Sequence, residues 1–381
     1  MRNYPSVAPE ASLRTGDTQH RTSGADQTGA SRGPLACTGT LDAWRAHSCS
    51  QDVRHLQTLR IAVVYGALST EDAVYMDAIP PEEWSAASIE QVLVNLGIES
   101  VRLDPCRPDF IDQVRECDVV FLNVHGPFGE DGRIQGLLEF LGVPYTCSSV
   151  LASSIGMDKL VSKSVFAHLD IPTPSSVSVD ATTGEHGLPI HFPAMLKAVD
   201  GGSSIGIAMV ASSEAVRMST ASMTARGFSR LFLEQHVTGR IVTSSAIHVP
   251  RRGLIVLPPL EAVPRADYYD EESKLAGSEC DYRLLDATET RTTDALRVYT
   301  EKVYHFLGCR GAIRVDFIVD DLQTPWALEI NTIPGLQEGS NLPVAARMAG
   351  MDYSDIIVLL LLDALHRHRA PTWMNARDAR G

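Results

Sequence analysis

Residues 311–335 read Gly-Ala-Ile-Arg-Val-Asp-Phe-Ile-Val-Asp-Asp-Leu-Gln-Thr-Pro-Trp-Ala-Leu-Glu-Ile-Asn-Thr-Ile-Pro-Gly. Arg314 and Asp316 stand two apart, as do Glu329 and Asn331. Residues two apart on a strand share a face. The polar run Asp320 to Pro325 between the pairs reads as a turn. A hairpin about that turn pairs position 316 with 329 and position 314 with 331. All four polar groups then converge on one face. Ile313, Val315, Phe317, Leu328 and Ile330 are expected on the opposite, core face.

Two carboxylates and an amide oxygen make a hard, all-oxygen donor set. It suits Mg2+, which takes one or two carboxylates and leaves its other positions to water and phosphates. An adjacent arginine suits a phosphate or a developing oxyanion. An ordinary hairpin with a solvated face, or a structural ion-pair network, gives the same pattern. The Asn-Thr-Ile-Pro-Gly run (331–335) favours the ligand site, because it turns the chain away where ligand groups need room.

The 381 residues are 44% hydrophobic and 21% charged, a globular composition with apolar residues for two or three cores. The net charge of −14 argues against nonspecific nucleic-acid binding, so an anionic substrate needs local cations or a metal. The seven cysteines (Cys37, Cys49, Cys106, Cys117, Cys147, Cys280, Cys309) are scattered without a CxxC pair. That usage points to a reducing cytoplasm rather than a disulfide framework or zinc. No apolar run reaches the ~18 residues of a membrane span.

Residues 1–57 are rich in Ser, Thr, Gly, Arg and Asp and read as a disordered extension, with a short helix expected at most over 41–56. A start codon placed upstream of the real one would also produce such a segment. From Leu59 the pattern changes. Residues 59–66 form a buried strand, a helix follows Pro80-Pro81, and further strands over 99–103 and 118–123 bracket a helix. This alternation implies a parallel α/β domain over 58–150, whose ligands gather at the C-terminal strand ends, near Ser69-Thr70-Glu71 and His125-Gly126. Residues 151–236 read as a smaller central domain. A helix opens at Met157-Asp158-Lys159, and a strand over 192–199 carries Lys197 into Gly201-Gly202-Ser203-Ser204-Ile205-Gly206. Such a run wraps a phosphate with N–H groups and hydroxyls, or simply turns a hairpin; it is not a Walker A loop. Residues 237–368 form a third domain. It holds strands over 241–249 and 254–261, an irregular polar stretch from Ala262 to Asp281, a helix over 290–307, the hairpin, and helices near 342–349 and 353–367. Residues 369–381 read as a polar tail.

Taken together, the motifs resemble the D-alanine–D-alanine ligases of the ATP-grasp superfamily. His125-Gly126, Gly129-Glu130-Asp131-Gly132, Gln135-Gly136, Ser153, Met157-Asp158-Lys159, Lys197, Gly202 to Gly206, Arg314-x-Asp316 and Glu329-x-Asn331-Thr332-x-Pro334-Gly335 follow one another in the family's order. The resemblance implies a mixed α/β (α+β) ATP-grasp fold of three domains. It implies a cytoplasmic ligase using ATP and Mg2+, with Mn2+ as the alternative ion. Its substrates are small amino acids, with no nucleic acid or membrane partner, and it allows a homodimer. One amino acid's carboxylate is phosphorylated to an acyl phosphate, which a second amino acid's amine attacks.

On this resemblance Asp316, Glu329 and Asn331 hold the metal. Lys159, Lys197, Ser203, Ser204, Glu234, Gln235, Val237, Lys274 and Leu328 bind ATP. Glu71, His125, Ser203, Arg314 and Gly335 serve catalysis, and Glu71, His125, Arg314, Ser340 and Asn341 contact the amino acids. Departures from the family pattern cluster where substrates are chosen. Leu275 stands for the usual tyrosine after the loop lysine, Ile241 for a ribose-binding acid, and Gln337-Glu338-Gly339-Ser340-Asn341 for Thr-Ser-His-Ser-Leu. The expected function is therefore D-alanine–D-alanine ligation for peptidoglycan synthesis, or the same chemistry on other amino acids in a specialised pathway. A non-catalytic nucleotide-binding protein is the remote alternative.

Overall fold

The computed structural model describes residues 41–46, 49–68, 73, 76, 80–81, 84–185, 190–201, 206–264 and 280–368. Three sheets organise them. The first is parallel, in the order β2 (Glu99–Leu103), β1 (Arg60–Val64), β3 (Val119–Leu122). Strands β1 and β3 are apolar on both faces, as a parallel sheet covered on both sides demands, while the edge strand β2 carries Glu99, Ser100 and Arg102. Ile61 and Val63 face one core cluster while Ala62 and Val64 face another. Helices α2 (Ser85–Asn95), α3 (Phe110–Arg115) and α4 (Arg133–Leu141) accompany the sheet. Gly142 ends α4 with a φ of 71°, a left-handed conformation that glycine adopts without strain.

The expected disorder of residues 1–57 is corrected over its last part. Residues 41–46 are helical, and α1 (Cys49–Leu56) follows. Leu41, Trp44 and Leu56 are buried in the same core cluster as Ile61 and Leu359. Arg45 pairs with Asp355, and Trp44 Nε1 donates to Asp52 Oδ2 at 3.1 Å. Three large apolar side chains sufficed to bring a polar segment into the core; their spacing lacked a long periodic run. Residues 1–40 and 369–381 lie outside the described residues.

The helix expected to open at Met157-Asp158-Lys159 is present, and a further helix precedes it. Helix α5 (Val150–Met157) ends where Asp158 caps α6 (Lys159–His168), its side chain accepting from Val161 N at 2.9 Å. The Asp cap satisfies an orphan N–H and restarts the chain in a new direction. The second sheet is antiparallel, in the order β4 (Ser176–Val179), β7 (Leu231–Gln235), β5 (Ala194–Ala198), β6 (Ile207–Val210). Helix α7 (Ser213–Ala225) covers it.

The third sheet holds β11 (Cys280–Leu284), β10 (Leu260–Pro264), β8 (Arg240–Val249), β12 (Ala312–Val319) and β13 (Pro325–Asn331) in that order, with β9 (Gly253–Val256) also on β8. The single strand expected over 254–261 is thus two, and strand structure reaches into both ends of the stretch read as irregular. Helix α8 (Thr290–Phe306) and the final pair α9 (Asn341–Met348) and α10 (Tyr353–Arg367) pack on it. The apolar run within α10 is a buried core helix, and no helix among the described residues is long and apolar enough to cross a membrane.

The hairpin register is as the sequence implies: Arg314 faces Asn331 and Asp316 faces Glu329. One detail differs. The register shifts between Asp316 and Phe317, so that Phe317 faces Ala327 and Leu328 is the extra residue of a bulge. Ile313, Val315, Phe317 and Ile330 are buried, as expected, but Leu328 is turned off the core face and is only half-buried.

Because Trp44 is 1% exposed, its replacement by alanine removes a large buried side chain. We expect Trp44→Ala to cost ~3–5 kcal/mol in a denaturant titration. A loss under ~0.5 kcal/mol, the scale of a surface change, would show that the N-terminal helices are not part of the core.

Candidate functional site

The polar face of β12–β13 carries the densest charge. Arg314 grips Asp316 with two parallel bonds, Nε to Oδ1 at 2.7 Å and Nη2 to Oδ2 at 2.9 Å. Such a fork fixes both orientation and charge. Arg314 Nη1 reaches Asn341 Oδ1 at 3.4 Å. Asn331 Oδ1 accepts from Ile333 N at 3.1 Å, a local turn that aims the amide and starts the Pro334-Gly335 bend. A Cβ on Gly335 would lie 3.2 Å from Ser340 Oγ, so the bend brings these two residues together. Ser340 stands at the N-cap of α9 without a capping bond from its side chain.

Lysines close the site. Lys159, at the start of α6, lies 3.2 Å from Glu329 Oε2 and also donates to Gly201 O. Lys197 on β5 pairs with Glu234 on β7, the two lying diagonally across the strand pair. Glu234 is buried, with 2% exposure, and its other oxygen lies 2.6 Å from Lys163 Nζ. The expected site residues Lys159, Asp316, Glu329, Asn331, Arg314 and Asn341 therefore adjoin one another, with Lys197 and Glu234 beside them.

The charges set the ionisation. Burial alone would raise the Glu329 carboxyl, but Lys159, Arg314 and Lys197 hold it well below the ordinary glutamate range, at about 2. Asp316 moves the other way, pushed up by burial and by Glu329 against the pull of Arg314. Burial opposes the charge on Arg314, yet Asp316 and Glu329 keep its guanidinium firmly protonated.

The remaining expected residues lie apart. His125 is half-buried in the loop after β3, its Nδ1 3.8 Å from Glu130 Oε1, while Glu130 Oε2 accepts from Gly126 N at 2.8 Å. A Cβ on Gly132 in the same loop would come within 2.8 Å of Val150 O, so only glycine lets the loop lie on α5. Gln235 accepts from Ser175 Oγ at 3.0 Å at the exposed end of β7, and Val237 follows in the connection to β8. Leu328 projects from the bulge beside Glu329. Glu71, Ser203, Ser204 and Lys274 lie outside the described residues, as do Leu275 and Ile205. Lys163, to which the sequence gives no site role, sits one helical turn after Lys159; that i, i+4 spacing places both on one face.

The donor set fits a hard divalent cation: three oxygens on one ribbon face, two from carboxylates. Among the described residues no three His, Cys, Asp or Glu side chains form a metal cluster; here the third oxygen is an amide. Lysines 159 and 197 beside these carboxylates fit a bound triphosphate.

A family model described as "D-ala D-ala ligase N-terminus" matches residues 82–148, and one described as "D-ala D-ala ligase C-terminus" matches residues 177–362. The D-alanine–D-alanine ligase of Desulforudis audaxviator is 36% identical over 320 residues, covering 81% of this chain and 99% of that one. The chain belongs to the D-alanine–D-alanine ligase family. The Bordetella avium ligase is 34% identical over 320 residues, covering 83% and 98%. Among solved structures, the Bacillus anthracis ligase complexed with ATP superposes with a TM-score of 0.66 at 26% identity, covering 85% of this chain and 99% of the other. The D-alanyl-alanine synthetase A of Vibrio cholerae, at 24% identity, shares the fold with a TM-score of 0.67. The fold is thus the ATP-grasp fold of this family, and the protein is an ATP-dependent ligase that forms a peptide bond between two amino acids.

Two outcomes follow from the ribbon. Glu329→Gln removes charge but little volume; we expect turnover to fall at least ~100-fold with the melting curve nearly unchanged. Near-normal turnover would remove Glu329 from the metal site. Because the Glu329 carboxyl is lower in the folded chain, its ion pair stabilises the fold above the ordinary glutamate range and is lost as pH falls toward about 2. A carboxyl NMR titration checks this; a Glu329 signal that titrates in the ordinary range contradicts it.

Proposed function

We propose that this ligase joins two D-alanine molecules in the cytoplasm, supplying the dipeptide for peptidoglycan. The observation that carries the reading is the Arg314-Asp316-Glu329-Asn331 face with Lys159 set against it, in a chain that spans nearly the whole length of curated D-alanine–D-alanine ligases. Asp316, Glu329 and Asn331 would hold Mg2+, which supplies charge neutralisation at the phosphates when bound.

The chain's own groups do the rest. Lys159, Lys197 and Lys274 meet the phosphates, and Ser203 and Ser204 cover them. Glu234, Gln235, Val237 and Leu328 surround the base and sugar. Glu71 takes the ammonium of the first D-alanine, and His125 lies by its carboxylate. That carboxylate attacks the γ-phosphorus, giving an acyl phosphate and ADP. The second D-alanine, its carboxylate on Ser340 and Asn341, attacks the acyl carbon through its amine. Phosphate leaves, and the amine's proton is lost. Arg314 and the N–H groups about Gly335 hold the oxyanion of the tetrahedral intermediate, the charge that develops only on the way to product.

The test is ADP and phosphate release across pairs of D- and L-amino acids. D-alanine alone is expected to support turnover and to give the dipeptide. Turnover confined to another pair would keep the chemistry and replace the substrates; ATP binding without turnover on any amine would overturn ligation.

A further inference from the structure

Lys163 has no task in the reaction just described, yet it is among the most deeply placed charges in the protein, with 5% exposure. Its ammonium has three N–H groups and three acceptors. These are Thr173 Oγ1 at 2.8 Å, Pro174 O at 2.8 Å and Glu234 Oε1 at 2.6 Å. Thr173 Oγ1 donates onward to Ala327 O at 2.8 Å, and Ala327 N donates to Pro172 O at 2.7 Å. The chain of bonds thus runs from β13, two residues before Glu329, through α6 to Glu234 on β7. It ends at Lys197 on β5.

Charge makes the arrangement unequal. Glu234 is one buried carboxylate with two ammonium partners. A buried carboxylate needs one counter-ion; stripped of its only partner it becomes an uncompensated charge, which is strongly unfavourable. If Lys197 were that only partner, moving it toward a phosphate would expose Glu234 to this penalty. Lys163 is tied in place by its hydrogen bonds to Thr173 Oγ1 and Pro174 O as well as by its ion pair with Glu234. Lys197 sits at the nucleotide side: two residues on, Val199 O accepts from Lys159 N at 3.1 Å.

We infer that Lys163 is a positioning residue for the nucleotide site: it is the standing counter-ion of Glu234 and so releases Lys197 to meet the triphosphate. The inference rests on the reading in which Lys197 binds phosphate. Burial pushes the Lys163 ammonium below its ordinary lysine value, Glu234 opposes that shift and Lys197 adds to it. The pocket therefore carries one cation more than it can balance by itself, and an anionic ligand relieves the excess.

The test measures Mg–ATP binding by calorimetry and KM and kcat by turnover in Lys163→Met, Lys163→Arg, Glu234→Gln and the double variant Lys163→Met/Glu234→Gln. Lys163→Met should weaken Mg–ATP binding and raise KM for ATP about tenfold, leaving the KM for amino acids within twofold. In the double variant no buried carboxylate competes for Lys197, so its ATP affinity should lie within about threefold of that of Glu234→Gln alone. Lys163→Arg keeps the counter-ion and should stay closer to the wild type than the methionine variant. A folded Lys163→Met chain with unchanged ATP affinity overturns the inference, as does a double variant about tenfold weaker for ATP than Glu234→Gln alone. If Lys163→Met does not fold, the double variant decides by the same criterion, because it lacks the uncompensated charge. Calorimetry needs no amino acid, so failure here is separable from a wrong choice of substrates. A wild type that bound no ATP would instead overturn the reading on which the inference rests.

Discussion

Among the described residues, buried charge is held where an opposite charge meets it, and that requirement positions the site. Lys159 against Glu329, Arg314 against Asp316, and Lys163 and Lys197 against Glu234 join α6, β5, β7, β12 and β13. Lys159, Lys163, Lys197 and Glu234 are buried, and none of them is stable alone in a low-dielectric interior. The elements that carry them must therefore approach to hydrogen-bonding distance. The same contacts that satisfy the fold bring carboxylates, lysines and an arginine to one place, where a triphosphate and a metal would find both signs of charge already oriented.

Preorganisation of this kind suits phosphoryl transfer, which depends on placement and charge neutralisation more than on covalent participation by the protein. The bidentate Arg314–Asp316 fork and the Asn331 turn cost no reorganisation when charge develops nearby. The bulge at Leu328 adds to this. One inserted residue takes a leucine off the core face and sets it beside Glu329, making an apolar surface next to the charged one without breaking the hairpin.

The sequence analysis and the structure agree where a local rule sufficed. The period of two along β12 and β13, with the polar turn between them, determines the pairing of Asp316 with Glu329 by symmetry. Gly142 and Asp158 each mark a helix end through a single backbone requirement. The bulge was not legible, because an extra residue in one strand leaves the polar and apolar alternation almost intact. The packing of the helices over 41–56 was not legible either, since their few buried side chains join a core cluster with residues such as Leu359, more than 300 residues away. Leu41, Trp44 and Leu56 place the last part of the segment up to 57 in the core.

By itself the sequence determined the parallel N-terminal sheet, the hairpin register, the identity of the charged residues and, through the order of its motifs, the family. Strand alternation and motif order are one-dimensional properties, so one dimension is enough to read them. Only the tertiary structure decided which lysine faces which carboxylate, that Lys163 and Lys197 share Glu234, and that Asn341 meets Arg314. These pairings join residues far apart in the chain. They follow from the packing of helices and sheets, and no spacing along the sequence records it.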